Sequence, residues 1–423
     1  MTWVTHVFGL TILYILFITY DVTAQSIDDL LRLNNYLERR NPKKLRPIKN
    51  QSQPLNVYID FYLLNIIGLD DVQQNLHVSV VFNMSWKDDL LSWNESEFGG
   101  IKSYVPSSDI LWMPALSCFK YVGKMNIFED SWQRVRVHSD GIVVWQVQKS
   151  LNLICPLNMQ YFPNDNQTCE LLFYTLQYTS DEVILLSNSH KGRNNLYDSS
   201  NGEWELNAVI TRTELYQTDH SSQIVLFIVT IKIDRLYNFF LQNVIIPIFM
   251  LSFLNLFTFC LPDDSGEKIS FSLTVLLSQT VFLSTISESL PTTSLHLAYI
   301  TIYMNCLLII SCSISIASIV LLYFHHHRKK LEKLSKNESS KEPRVQDTFK
   351  SAKIHPMPSA QNQSFKKSSR FRCFSCTVDT MLFIIFFSVW LLITVVFIIT
   401  IIFKNNITGF PEFDNSSGNR KTF

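Results

Sequence analysis

Apolar residues follow two different rhythms along this chain of 423 residues. Through residues 54–236 they alternate with polar ones. Val57-Tyr58-Ile59-Asp60-Phe61-Tyr62 is one such run, followed by Val78 to Met84, Ile142 to Val147 and the long Gln223 to Asp234 (QIVLFIVTIKID). A period of two belongs to strands with one buried face. Asp140-Gly141 predicts a hairpin turn between two of them. So many strands predict one sandwich or barrel. Ahead of them, Ile27–Arg39 (IDDLLRLNNYLER) has helical spacing, and Ser26 is placed to cap it. Past residue 236 the alternation gives way to long uncharged runs. Phe239–Cys260, Leu295–Phe324 and Thr380–Phe403 are long enough to cross a bilayer as helices. Ile269–Leu290 makes a fourth, uncharged until Glu288 but rich in Ser and Thr. The expected fold class is a β-sandwich extracellular domain plus an all-α four-helix transmembrane domain.

The ends of the chain fix the expected topology. Val7 to Tyr20 is apolar but short for a span, and Val22-Thr23-Ala24 fits signal-peptide cleavage after Ala24. No Lys or Arg precedes that run, so an uncleaved anchor is the alternative. His325 to Thr377 carries most of the remaining Lys and Arg, which places it in the cytoplasm, and its composition reads as flexible linker. The expected segments are therefore a signal peptide (1–24), an extracellular domain (25–236), three spans (237–324), a cytoplasmic linker (325–377), a fourth span (378–403) and an extracellular tail (404–423). That describes a multi-pass plasma-membrane protein with both termini outside. Sequons at Asn50, Asn94, Asn166 and Asn406 are glycosylation candidates. A further one, at Asn83, lies mid-strand.

Composition narrows the function. With 36 basic and 36 acidic side chains there is no cationic excess for nucleic acid. Hydrophobic residues are 47% and charged ones only 17%, which suits neither a disordered chain nor an ordinary soluble one. Three cysteines, Cys118, Cys155 and Cys169, fall outside, so one is left over. Cys155 and Cys169 flank a loop that a disulfide would stabilise by about 3 kcal/mol. Cys118, in an aromatic segment, is expected as a buried thiol. Cys373 and Cys376 read as thiols beside a span, open to palmitoylation, rather than as a metal site. No phosphate loop, metal cluster or nucleophile constellation is visible, so neither an enzyme nor a cofactor is expected.

The fourth apolar run carries the chemistry. Glu267, Ser270, Thr274, Leu277, Val281, Ser284 and Glu288 are spaced three and four apart, so they share one helix face. From Glu267 to Glu288 the rise is about 32 Å, close to the apolar thickness of a bilayer. Several copies around an axis would line a pore. Carboxylate rings at both mouths would gather cations, and the Leu277 and Val281 rings would form a constriction able to dewet. The alternative is that the hydroxyls bond backbone carbonyls or join helices.

Together these features resemble the Cys-loop (pentameric ligand-gated) receptor family, in its nicotinic acetylcholine receptor branch. The resemblance runs from about Val57 onward, except the linker. Cys155…Phe162-Pro163-Asn-Asp165…Cys169 is similar to the family's signature loop. Trp86-Lys-Asp88 with Trp93, Phe98-Gly99-Gly100, Glu203-Trp204, Asn243-Val-Ile-Ile-Pro247 and His325 to Arg328 match further points. Gly266-Glu267-Lys268, Val275-Leu276-Leu277-Ser278 and Thr280-Val281-Phe282-Leu283 match the second span. The resemblance implies a pentamer made with four further subunits of the same or related kind. It also implies permeant cations, a small-molecule agonist and a membrane setting. Ser265-Gly266-Glu267-Lys268 stands where anion-selective members carry Pro-Ala-Arg.

The agonist site departs from the family. There a cationic agonist sits in an aromatic box. Carried over by position, its aromatics fall on Phe119, Leu176, Tyr216, Ile224 and Val81, and His220-Ser221-Ser222 replaces the paired cysteines. Leu, Ile and Val offer no ring, so acetylcholine binding in the usual mode is not expected. Tyr174 and Tyr178 could stand in for Leu176 only through a shift of two in register, and ordinary packing is the alternative role for Phe119 and Tyr216. Asp71 and Arg235 fall where the family has a coupling acid–base pair, beside Phe162-Pro163. The resulting expectation is a subunit of a cation channel opened by an unidentified ligand. The alternative is a non-conducting or accessory subunit.

Overall fold

The computed structural model describes residues 26–40, 45–106, 111–122, 127–128, 135–187, 201–218, 222–262, 266–292, 297–339 and 361–402. The expected signal peptide, Asn406 and the tail lie outside the described residues. Two compact units emerge: Met1–Leu157 with Asn166–Asp234, and Asn158–Asp165 with Arg235–Phe423.

In the first unit, α1 (Ile27–Arg40) buries Leu33 and Leu37. Ser26 Oγ accepts from the Asp29 backbone N–H at 3.1 Å, the cap the sequence predicts. The strands are β1 (Leu55–Asp70), β2 (Asn75–Lys87), β3 (Ser103–Tyr104), β4 (Leu116–Cys118), β5 (Val135–His138), β6 (Ile142–Ile154), β7 (Asn166–Thr175), β8 (Val183–Ser187), β9 (Trp204–Gln217) and β10 (Gln223–Arg235). They form a six-stranded sheet in the order β3-β5-β6-β2-β1-β8 and a four-stranded sheet in the order β4-β7-β10-β9. Only the β1–β8 pairing among the registered pairs is parallel.

The period-two pattern does what it predicts. Alternate residues Val57, Ile59, Phe61 and Leu63 of β1 are fully buried, as are Val78, Val80, Phe82 and Met84 of β2. Phe82 meets Phe61 of its own sheet and Phe173 of the other edge-on, with centroids 5.3 and 5.2 Å apart. Such contacts between sheets are the core of a sandwich. Gly141 turns the β5–β6 hairpin at φ 85°, and a Cβ there would come within 2.5 Å of the Asp88 carbonyl oxygen. Only glycine meets both demands.

In the second unit the helices are α2 (Asn238–Cys260), α3 (Glu267–Glu288), α4 (Tyr299–Ser339) and α5 (Gln361–Ile402). All four contain stretches long and apolar enough to cross a membrane. α2 passes through a π turn at Leu241–Ile245 and tightens to 3-10 geometry at Phe257–Cys260. α4 and α5 take up both ends of the stretch read as flexible linker. A helix nucleated in an apolar run gains one hydrogen bond for each polar residue it adds, so it propagates past the apolar boundary. Trp390 of α5 packs on Phe249 and Phe253 of α2, centroids 5.1 and 5.6 Å away, and its indole N–H donates to Ser252 Oγ at 2.9 Å. Tyr303 stacks on Phe397 at 4.1 Å.

Candidate functional site

The seven residues singled out on α3 are all exposed: Glu267, Ser270, Thr274, Leu277, Val281, Ser284 and Glu288. Leu277 is 66% and Val281 61% exposed. Leu273, Thr280, Thr285 and Ser287 widen the same open side. The hydroxyls also bond locally, as the alternative reading expected. Thr274 Oγ1 donates to the Ser270 carbonyl at 2.8 Å, and Ser284 Oγ donates to Glu288 Oε1 at 3.3 Å. A hydroxyl that donates to its own helix still offers lone pairs outward. The two roles therefore coexist.

Glu267 and Glu288 are the first and last residues of α3, and Gly266 leads into it in the left-handed region at φ 68°. Lys268 is turned the other way. It is 1% exposed, and its Nζ lies 3.0 Å from Asp379 Oδ1 of α5 and 5.9 Å from the centre of the Phe259 ring. The positive charge next to Glu267 is thus neutralised inside the bundle and kept off the exposed stripe. Sequence reading left the direction of Lys268 open and did not single out Asp379. A carboxylate immediately before the last apolar run was the available signal.

On the four-stranded sheet, Phe119 follows β4 and is 53% exposed. It stacks on Tyr174 of β7 at 4.3 Å and lies 6.5 Å from Tyr216 of β9. Tyr174 lies on β7, and Leu176 lies one residue past its end. Leu176, Ile224 and Val81 are half-buried. Tyr178 is engaged elsewhere: its hydroxyl accepts from Trp112 Nε1 at 3.0 Å. The aromatic cluster on this sheet is Phe119, Tyr174 and Tyr216, all three named from the sequence.

Cys155 and Cys169 are joined in a disulfide, Cα–Cα 5.2 Å. Cys118 is a buried free thiol, and burial pushes its pKa up. Within the loop, Phe162 is buried against Phe240 of α2 at 4.8 Å, and Tyr161 meets Tyr299 of α4 at 5.3 Å. Gln160 Nε2 donates to the Tyr299 hydroxyl at 2.8 Å. Arg235 donates from Nε to Asp165 Oδ1 at 2.8 Å and from Nη2 to Oδ2 at 3.3 Å, while its guanidinium lies 4.9 Å from the Phe162 ring centre. This two-pronged pair is nearly dry, with side-chain exposures of 11% and 2%. Sequence reading gave Arg235 to Asp71, which lies in the turn after β1. Asp165 was quoted only as part of the motif. Asn50 and Asn94 are exposed, whereas Asn83 and Asn166 are half-buried at strand positions. Asp88 is a further buried carboxyl. Its Oδ1 accepts from the Leu90 N–H at 2.8 Å, its Oδ2 has no partner among the described residues, and burial pushes its pKa up to about 7.

A two-sheet sandwich, a disulfide-closed loop and four helices apolar enough to cross a membrane, one with a polar stripe, are the parts of a membrane receptor subunit. Comparisons with known proteins give it a family. The chain matches the neurotransmitter-gated ion-channel ligand binding domain over residues 31–237 and the neurotransmitter-gated ion-channel transmembrane region over residues 244–369. Similar proteins include the acetylcholine receptor subunit delta of Gallus gallus, 31% identical over 68% of this chain and 59% of the relative. The neuronal acetylcholine receptor subunit beta-3 of Homo sapiens is 31% identical over 73% and 66%. Ligand-gated ion channel 4 of Caenorhabditis elegans is 31% identical over 67% and 45%. The chain spans less than two thirds of the length of these relatives. It belongs to the neurotransmitter-gated ion channel family, as a nicotinic-receptor-like subunit and not an enzyme.

Proposed function

We propose that this chain is one of five subunits around a cation-selective pore lined by α3. In this reading it sits in the plasma membrane with both termini outside, and a small molecule other than acetylcholine opens it. The observation that carries the reading is the exposed stripe from Glu267 to Glu288 with Lys268 turned inward. Five copies would set a carboxylate ring at each mouth and a Leu277–Val281 constriction between them. Such rings concentrate cations and exclude anions. Against the usual agonist stand Leu176, Ile224 and Val81, which have no π face for a quaternary ammonium. The Phe119–Tyr174 stack also covers a ring face that a cation would use.

The same aromatic cluster favours a second reading, an accessory subunit with no agonist response of its own. Voltage clamp separates the two. Current should reverse near the sodium potential, and Glu267→Gln should move reversal toward zero in a sodium chloride gradient. Unchanged reversal removes Glu267 from selectivity. No current from the chain alone or from any Leu277 variant, despite surface expression, selects the accessory reading.

A further inference from the structure

The side of α3 that faces its own bundle carries Lys268, Ser272 and Gln279 among the apolar Val275 and Ile286. Lys268 and Gln279 are both 1% exposed and lie eleven positions apart. At 100° per residue that brings them within about 20° of one azimuth, about 16 Å apart along the axis. Lys268 reaches Asp379 of α5 at 3.0 Å. Gln279 Oε1 accepts from Ser311 Oγ of α4 at 2.5 Å, and the same hydroxyl accepts from Asn255 Nδ2 of α2 at 2.9 Å. One line of α3 is therefore connected to every other helix of the bundle, at two depths.

Apolar burial does not account for this orientation. Leu273, Leu277 and Val281 are on the open side, while the buried side holds Lys268, Ser272 and Gln279 together with Val275 and Ile286. Rotating α3 would hide the two leucines and Val281 in place of Val275 and Ile286, with no loss of apolar area hidden. Rotation would, however, take from Asp379 and Ser311 the α3 groups they bond, and a buried polar group that loses a partner is destabilising. We propose that these two polar pins set the rotational phase of α3, and so decide which side chains form its stripe. Gln279 is the looser pin. It is held through Oε1, while its buried Nε2 has no acceptor among the described residues. The inference deepens the pore reading and rests on it.

Accessibility of introduced cysteines tests it without current or agonist. Val281→Cys and Ser284→Cys report the stripe, and Phe282→Cys and Leu283→Cys report its half-buried flank. Each is placed in the full chain at the cell surface and exposed to a membrane-impermeant methanethiosulfonate. The modification rate is read as loss of later maleimide labelling, with the chain carrying no added cysteine as baseline. The stripe should react faster than the flank. Gln279→Leu and Ser311→Ala should each lower the stripe-to-flank rate ratio at least fivefold, and Ser311→Thr, which keeps the hydroxyl, should leave it unchanged. A reactive stripe whose ratio ignores the hub variants overturns the inference and leaves the pore reading standing. A stripe that resists the reagent with the hub intact overturns both. If Gln279→Leu and Ser311→Ala both fail to reach the surface while Ser311→Thr succeeds, the hub is a folding element, and the phase-setting role falls.

Discussion

Replacing Leu277 with Ser should convert a closed ring into a leaking one, more so with each copy replaced. Leu277 is 66% exposed, and in the proposed pore that fraction of its surface would be covered by neighbouring copies in the closed state. Full burial of a leucine side chain is worth about 1.5–3 kcal/mol, which scales here to about 1–2 kcal/mol per subunit and about 5–10 kcal/mol around five. Serine contributes almost none of that, and its hydroxyl holds water in the constriction. Each copy replaced should therefore shift the closed-to-open ratio by about fivefold to thirtyfold. The assay mixes transcripts of the unaltered and Leu277→Ser chains in graded ratios, then measures agonist-free conductance normalised to surface protein. A steep, continuous rise with the mutant fraction is expected, weighted toward the assemblies with most copies replaced. Agonist-free conductance that stays flat across the mixture, with both chains at the surface, would refute the claim that this ring is the closure.

Other substitutions address the scaffold. The Asp88 carboxyl, pushed up to about 7 from an ordinary 3.8, favours folding most when protonated, so its contribution is present below about pH 4 and is lost as pH rises through 7. That loss approaches about 4 kcal/mol as an upper bound. Asp88→Asn should raise the thermal midpoint of the full chain at pH 8 and leave it unchanged near pH 4; parallel pH curves for the two proteins would discard the idea. Arg235→Met strands the Asp165 carboxylate in a nearly dry site and should cost about 3–5 kcal/mol. Adding Asp165→Leu should restore most of that in thermal unfolding, and a double variant as unstable as the single would count against a buried pair. Cys155→Ala with Cys169→Ala should cost about 3 kcal/mol, read as a lowered midpoint that reducing agent no longer shifts.

The strands, the hairpin at Gly141, the membrane helices and the exposed stripe of α3 were legible because each rests on local periodicity or turn chemistry. Phe61, Phe82 and Leu277 could be placed on a face by counting alone. Tyr174 and Tyr178 were countable as neighbours of Leu176, two residues to either side, but which of them meets Phe119 was not. Partnerships were not legible. The pairing of Asp165 with Arg235, of Lys268 with Asp379, and of Gln279 with Ser311 and Asn255 each joins elements far apart in sequence. The sequence reveals polar residues in apolar surroundings that must be satisfied, but not by which neighbour. Linker-like composition also hid the ends of α4 and α5, since propagation of a helix depends on what precedes it.

Gly266 bears on where the inner negative charge hangs. A Cβ at this position would meet nothing within 4 Å, so no collision reserves it for glycine; only its left-handed backbone does. A β-branched or bulky residue there would be strained in the left-handed region, and relief of that strain would turn the following acid. The most permissive residue in the alphabet thus sets the bearing of the Glu267 carboxylate in the proposed pore, and an error of aim would be invisible to any inventory of contacts.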